Sequence, residues 1–121
     1  MTIHGREIGF RISVGATSEL AELCPDKDIN RLSELMDSPS VIGQIDAVMK
    51  IMAIASKWYE EEKHYLDPSY KQNPLTVNEL MCLTNDDILS LQNELFKAFN
   101  VDAETTVHTE EVKKKEMTQS N

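Results

Sequence analysis

One stretch, Val41 to Tyr65, limits what this chain can fold into more than any other. As far as Tyr59 it reads VIGQIDAVMKIMAIASKWY, apolar at nearly every position except Gly43, Gln44, Asp46, Lys50, Ser56 and Lys57. At about 100° per residue, Gly43, Asp46, Lys50, Lys57, Glu61 and His64 fall on one narrow strip, and almost everything else must face something dry. A helix with one thin polar strip is the central helix of a small bundle, or is covered partly by its own chain and partly by a partner. Two apolar ridges separate on it: Val41, Ile45, Val48, Met52, Ala55 and Tyr59 on one, and Ala47, Ile51, Ile54, Trp58 and Tyr65 on the other. The internal reading makes both ridges core, whereas the partner reading reserves the Trp58 ridge for another molecule. The stretch is not a membrane span, which needs about 20 largely uncharged residues. Asp46, Lys50 and Lys57 interrupt it, and Glu60 to Lys63 follow directly.

At 121 residues the chain suits one domain with a modest core, expected over residues 1–100. A net charge of −9 argues against nucleic acid as partner, because phosphate binding rests on clustered Lys and Arg. Anionic membrane is disfavoured on the same ground. The N-terminus MTIHGREIGF carries charge where the apolar part of a signal peptide would lie, so the protein is expected to stay in the compartment where it is made. Cys24 and Cys82 lie in apolar helical contexts without CxxC or Cys/His ligand spacing, and are expected to be buried free thiols.

The expected fold class is α+β, mostly α: an N-terminal β-hairpin, then a bundle of about five helices around one long helix at about 39–66. Residues 1 to 13 read as the hairpin, with Ile3 before a Gly5-Arg6 turn and Ile8, Phe10 and Ile12 alternating after it. An isolated hairpin is marginal in water, so its apolar face must pack on a helix or join another sheet. Ser13 can cap a helix over Val14 to Cys24, which Pro25 ends. Asp28 can cap a short helix carrying Ile29, Leu32, Leu35 and Met36 on one face. Ser38-Pro39 reads as cap and first residue of the long helix, which should stop near Leu66. After a polar connection containing Tyr70, Thr76 and Glu79 have capping-box spacing and open a helix to about Leu83. Thr84 to Asp87 repeat the device for a last helix to about Asn100, striped by Ile88, Leu91, Leu95 and Phe99. From Asp102 to Asn121 apolar residues become sparse, and a disordered tail is expected over 101–121.

Catalytic signatures are missing: there is no GxSxG, P-loop, GxGxxG, HExxH or EF-hand loop. Glu60 and His64 stand at i and i+4 and could start a metal site, but His64 shares the polar strip with Lys57 and Glu61, which a solvated face explains. Glu60, Glu61 and Glu62 likewise read as solvated surface. The helices from Thr76 to Asn100 superficially suggest a helix-turn-helix, yet Asp86, Asp87 and Glu94 on the would-be reading helix would repel DNA. No catalytic residue, metal ligand or cofactor is therefore expected.

The order of elements is similar to a known family. The hairpin Ile3-x-Gly5-x-x-Ile8-x-Phe10-x-Ile12 runs into a helix of the form V-x-A-x-x-E-L, then a long apolar helix, then a final LT-x-x-E-L…L pair at Leu75 to Leu83. This layout, over residues 1 to 100, resembles the tail assembly chaperones of long-tailed bacteriophages and related prophages, particularly those of Gram-positive hosts. The resemblance implies a non-enzymatic protein of the bacterial host cytoplasm, absent from the mature virion. It would bind the tape-measure protein, keep that long apolar helical chain soluble, and help recruit tail-tube subunits. In such phages the chaperone gene commonly ends in a slippery site that yields a longer frameshifted product; Lys113-Lys114-Lys115 fits an adenine run there, and fits equally a solubilising charge cluster in the tail.

On this reading the partner-binding surface is expected on Ile51, Ile54, Trp58 and Tyr65, plus any free apolar face of the hairpin, since aromatic anchors dominate interfaces. The hairpin edge and the second ridge also suggest self-association into a homo-oligomer. Two alternatives stand beside it: a small acidic helical adaptor or regulatory protein of a mobile element, and a small metal-dependent helical enzyme. The enzyme would need an inward-facing carboxylate or histidine cluster, whereas the wheel places Asp46, Glu61 and His64 outward.

Overall fold

Two consecutive residues with positive φ, His4 at 51° and Gly5 at 77°, turn the chain back on itself near its N-terminus. This is the backbone of a two-residue type I′ turn, whose twist matches that of paired strands. It joins β1 (Thr2–Ile3) to β2 (Arg6–Glu7) in antiparallel register, Ile3 opposite Arg6. Arg6, expected in the turn, is instead the first residue of the return strand. The structure, a computed structural model, describes residues 1–37 and 39–100. The expected tail, with Lys113 to Lys115, lies outside them.

Ile8 extends the ladder by donating to the Met1 carbonyl at 2.7 Å, but the following residues leave the hairpin. Arg11 N–H donates instead to the Ala55 carbonyl of the long helix at 3.0 Å. The alternating Ile8, Phe10 and Ile12 thus lay one apolar face on a helix rather than on a third strand: Ile8 and Phe10 are buried, and Ile12 packs against the core. Helix α1 (Val14–Leu23) starts where Ser13 Oγ accepts from Ala16 N–H at 3.2 Å. It stops before Pro25, burying Ala16 and Leu20. Asp28 caps a 3₁₀ turn, Ile29–Arg31, that runs into α2 (Leu32–Met36).

The long helix α3 covers Val41–Leu66. Its N-cap is Ser40, whose Oγ accepts from Gly43 N–H at 3.3 Å. The expected Ser38-Pro39 start is therefore displaced: Ser40 has the extended backbone that a cap needs and its hydroxyl caps the helix, so Pro39 precedes the helix instead of opening it. Val48, Met49, Ile51, Met52 and Ala55 are buried in the middle of α3. Asp46 and Lys50 pair at 3.0 Å on its wet side. A connection over 67–76 leads to α4 (Val77–Met81), capped by Thr76, and Thr84 Oγ1 accepts from Asp87 N–H to open α5, residues 85–100. Leu75, Leu80, Leu91 and Leu95 close the core against α3. The fold is thus mostly helical with an N-terminal hairpin, as the residue pattern predicts.

The cysteines part company. Cys24 is buried, with its thiol donating to the Leu20 carbonyl, and burial raises its pKa. Cys82, expected to be buried, is exposed: α4 ends at Met81, and the turn that follows carries the thiol outward.

Two glycines explain how the large aromatics of α3 fit. A β-carbon at Gly15 would lie 2.4 Å from the Trp58 ring, and one at Gly9 would lie 2.3 Å from the Tyr59 ring. The chain passes so close that a side chain would have to displace a rigid ring. Gly15→Ala should therefore destabilise the fold by about 1–3 kcal/mol, the usual cost of overpacking, despite alanine's better helix propensity. Chemical denaturation followed by Trp58 fluorescence checks this; unchanged stability would mean that the ring is not seated on α1.

Candidate functional site

The four residues expected to bind a partner do not form one surface. Ile51 is 0% exposed and belongs to the centre of the core, and Ile54 packs against that core. Trp58 is half-buried over Gly15, and its Nε1–H donates to Glu19 of α1 at 3.1 Å. Only Tyr65 is free, 84% exposed near the end of α3. The wheel identified these residues as sharing a ridge, but the core takes Ile51 and Ile54, α1 seats Trp58, and Tyr65 alone is left to solvent. Trp58→Ala should accordingly cost about 3–5 kcal/mol of stability. Tyr65→Ala should stay within about 0.5 kcal/mol of the parent. Urea titrations of both variants check this, and equal stabilities would return Trp58 to the surface.

Besides Tyr65 and Leu66, exposed apolar side chains gather at the opposite end of α3. At about 1.5 Å per residue, its 26 residues span about 39 Å. The five-residue helices α2 and α4 are too short to cover that length. Ile42, 80% exposed, stands with Val41 and Ile45 on the uncovered first turns, and Met81, 66% exposed, faces outward from α4. Ile42, Ile45, Met49, Val77 and Met81 line an open groove of about 450 Å³ between α3 and α4, with Asp46 and Asn78 beside them. Ile45 also borders a smaller depression with Gln44, Val48, Ile88 and Gln92, so apolar surface continues toward α5. A further cleft, between the hairpin and α5, is rimmed by charges already engaged: the Met1 amine with Glu7, and Lys97 with Glu94.

What places α4 beside α3 is a polar stripe at i, i+4 and i+8 on the long helix. Ser56 Oγ accepts from Leu75 N–H at 2.9 Å. Glu60, 6% exposed, accepts from the Tyr70 hydroxyl at 2.7 Å and from Asn73 N–H at 2.9 Å. His64 Nδ1 meets the Tyr70 carbonyl at 2.9 Å, and since a carbonyl only accepts, Nδ1 carries the proton. Lys63 lies over the rings of both Tyr59 and Tyr70, at 4.8 and 5.4 Å from their centroids. Together these contacts strap residues 70–75 along the helix. Glu60 was expected on a solvated acidic surface, and the structure corrects this: only Glu61 and Glu62 fit the description of a wetter run. The overlooked signal was the four-residue spacing of Ser56 and Glu60, which sets them to one side of Lys57 and Glu61; His64 continues their row at the margin of the strip that it shares with Lys57.

Glu60 and His64 thus converge on Tyr70. Among the described residues no group of three or more His, Cys, Asp or Glu side chains is arranged to hold a metal ion. No described helix is long and apolar enough to cross a membrane. Comparison of the chain with family models, with curated proteins and with solved structures finds no match.

The strap carries a pH signature. Tyr70's hydroxyl titrates above the ordinary tyrosine range because it donates to Glu60, and burial adds to the effect. The folded state therefore holds this proton more tightly than the unfolded state. The stability so gained is complete below about pH 10 and is lost as pH rises through the raised value. Tyr70→Phe should lower stability at neutral pH by about 1–2 kcal/mol and flatten the alkaline decline. Urea midpoints across the alkaline range test it; a Phe variant with the parent's slope would remove the hydroxyl from the strap.

Proposed function

We propose that this protein is a non-enzymatic tail assembly chaperone that holds an apolar helical segment of a tape-measure protein in the groove between α3 and α4. The observation that carries the reading is the uncovered apolar groove of Ile42, Ile45 and Met81 on an otherwise acidic chain. Contiguous exposed apolar surface marks interaction sites, and a groove between helices suits the apolar stripe of another helix. Met49 and Met81 contribute flexible thioether side chains, which adapt to varied apolar partners. A long tape-measure chain presents many such stripes that differ in sequence. The net charge of −9 opposes self-aggregation while the groove stays open.

The layout of hairpin, capped helix, long apolar helix and LT-x-x-E-L pair supports the same reading by resemblance. On this reading the protein works in the host cytoplasm before the virion is complete and recruits tail-tube subunits to the tape-measure chain. It also brings a frameshifted longer form, which the codons for Lys113 to Lys115 and the overlapping reading frame would reveal.

Co-expression with the tape-measure protein of the same genome tests the proposal. The wild-type chain should keep that protein soluble and co-purify with it. Ile42→Asp combined with Met81→Asp should lower the soluble fraction at least about tenfold, as loss of a buried anchor pair at an interface does. Both sites are exposed, so the helical circular-dichroism signal should be unchanged. A tape-measure protein equally soluble with the variant, or without any chaperone, would overturn the proposal.

A further inference from the structure

The wall of the groove formed by α4 is gripped from a distant part of the chain. Arg6, on the hairpin, donates through Nη1 to both carboxylate oxygens of Glu79, at 2.7 and 2.8 Å. Its Nη2 donates to the Asn73 carbonyl. Asn73 is thereby held on both sides, its N–H by Glu60 of α3 and its C=O by Arg6. Glu79 was expected to complete a capping box, but its carboxylate turns to Arg6, and only the Thr76 half of the box forms. Both partners are about three-quarters covered, at 22% and 27% exposure, so the pair is neither a free surface ion pair nor a fully dehydrated one. A five-residue helix has little stability of its own and takes its position from what holds it.

From this geometry we infer that Arg6 makes the hairpin a latch on the groove. By locking Glu79 and Asn73 it fixes α4 against α3, and so sets where Met81 stands relative to Ile42. The hairpin, which does not line the groove, thereby governs how well the groove takes an apolar helix. This inference rests on the groove being the binding surface, and the test separates the two claims.

The test uses the full chain in four forms: parent, Arg6→Ala, Glu79→Ala and the double variant, with Ile42→Asp as a groove control. Amide exchange is followed by mass spectrometry, and groove occupancy by titration with bis-ANS, a disulfonated aromatic dye that fluoresces on apolar surface. Arg6→Ala should speed exchange over residues 76–83 about tenfold, in keeping with loss of charge-assisted hydrogen bonds. Exchange in α1 and the middle of α3 should change less than about twofold, because additivity fails only between neighbours. The double variant should go no further than Arg6→Ala alone, which is the mark of two residues acting as one contact. Dye affinity should change in the same variants, and Ile42→Asp should abolish dye binding without altering exchange. Unchanged exchange over 76–83, a uniform rise along the whole chain, or additive effects of the two single variants would each overturn the latch. If exchange responds as expected but Ile42→Asp binds dye like the parent, the groove is not the binding surface, and the latch loses its role in binding with it.

Discussion

A single buried carboxylate organises the second half of this molecule. Glu60 sits within an apolar helix, where an acid without partners would be costly, and both of its oxygens accept hydrogen bonds from the connection that follows. That connection, residues 67–76, has no ladder or helix of its own to satisfy its backbone. Buried backbone groups must find partners, and here α3 supplies them through Ser56, Glu60 and His64. Among the described residues, no buried side-chain nitrogen or oxygen is left without a hydrogen bond. The polar stripe is thus a docking rail, and its spacing along α3 dictates where Leu75 enters the core and where α4 begins.

From that rail follows the shape of the surface. Running back along α3 toward its middle, the strap delivers α4 beside the earlier turns of the long helix. There Leu80 is buried while Met81 remains outside. The first turns of α3 extend past the cover that these short elements provide, leaving Val41, Ile42 and Ile45 uncovered. At the other end Trp58 and Tyr59 are seated over glycines of the N-terminal segment, so the aromatic residues most suited to anchoring a partner are spent on the chain's own packing. The proposed chaperone function draws on what is left: aliphatic and thioether side chains in an open groove, adaptable rather than selective.

Much of this fold was legible in the residues. Ser13, Asp28, Thr76 and Thr84 all cap the elements that their spacing announced, because a cap is a local device whose hydrogen bond reaches only two or three residues. The long helix was equally plain from its apolar density. What periodicity could not tell was which neighbour covers which ridge. Ile51, Ile54 and Trp58 share a face on the wheel, but the chain's own core takes the first two and α1 seats the third, and nothing in a single helix's pattern says so. Ile42 and Met81 were missed for the converse reason: an apolar residue near a helix end looks like core until the lengths of the covering helices are known. Glu60 was hidden by its neighbours, since a run of three acids reads as wet although its members point in different directions.

The central claim is that the partner's helix lies along the first turns of α3 and against α4. The most direct measurement is amide exchange of the full chain with and without a soluble, apolar-striped helical segment of the tape-measure protein. Protection should appear over residues 41–49 and 76–83 and nowhere else among residues 1–100. Protection confined to the Trp58 and Tyr65 end of α3, or none at saturating segment, would contradict the claim.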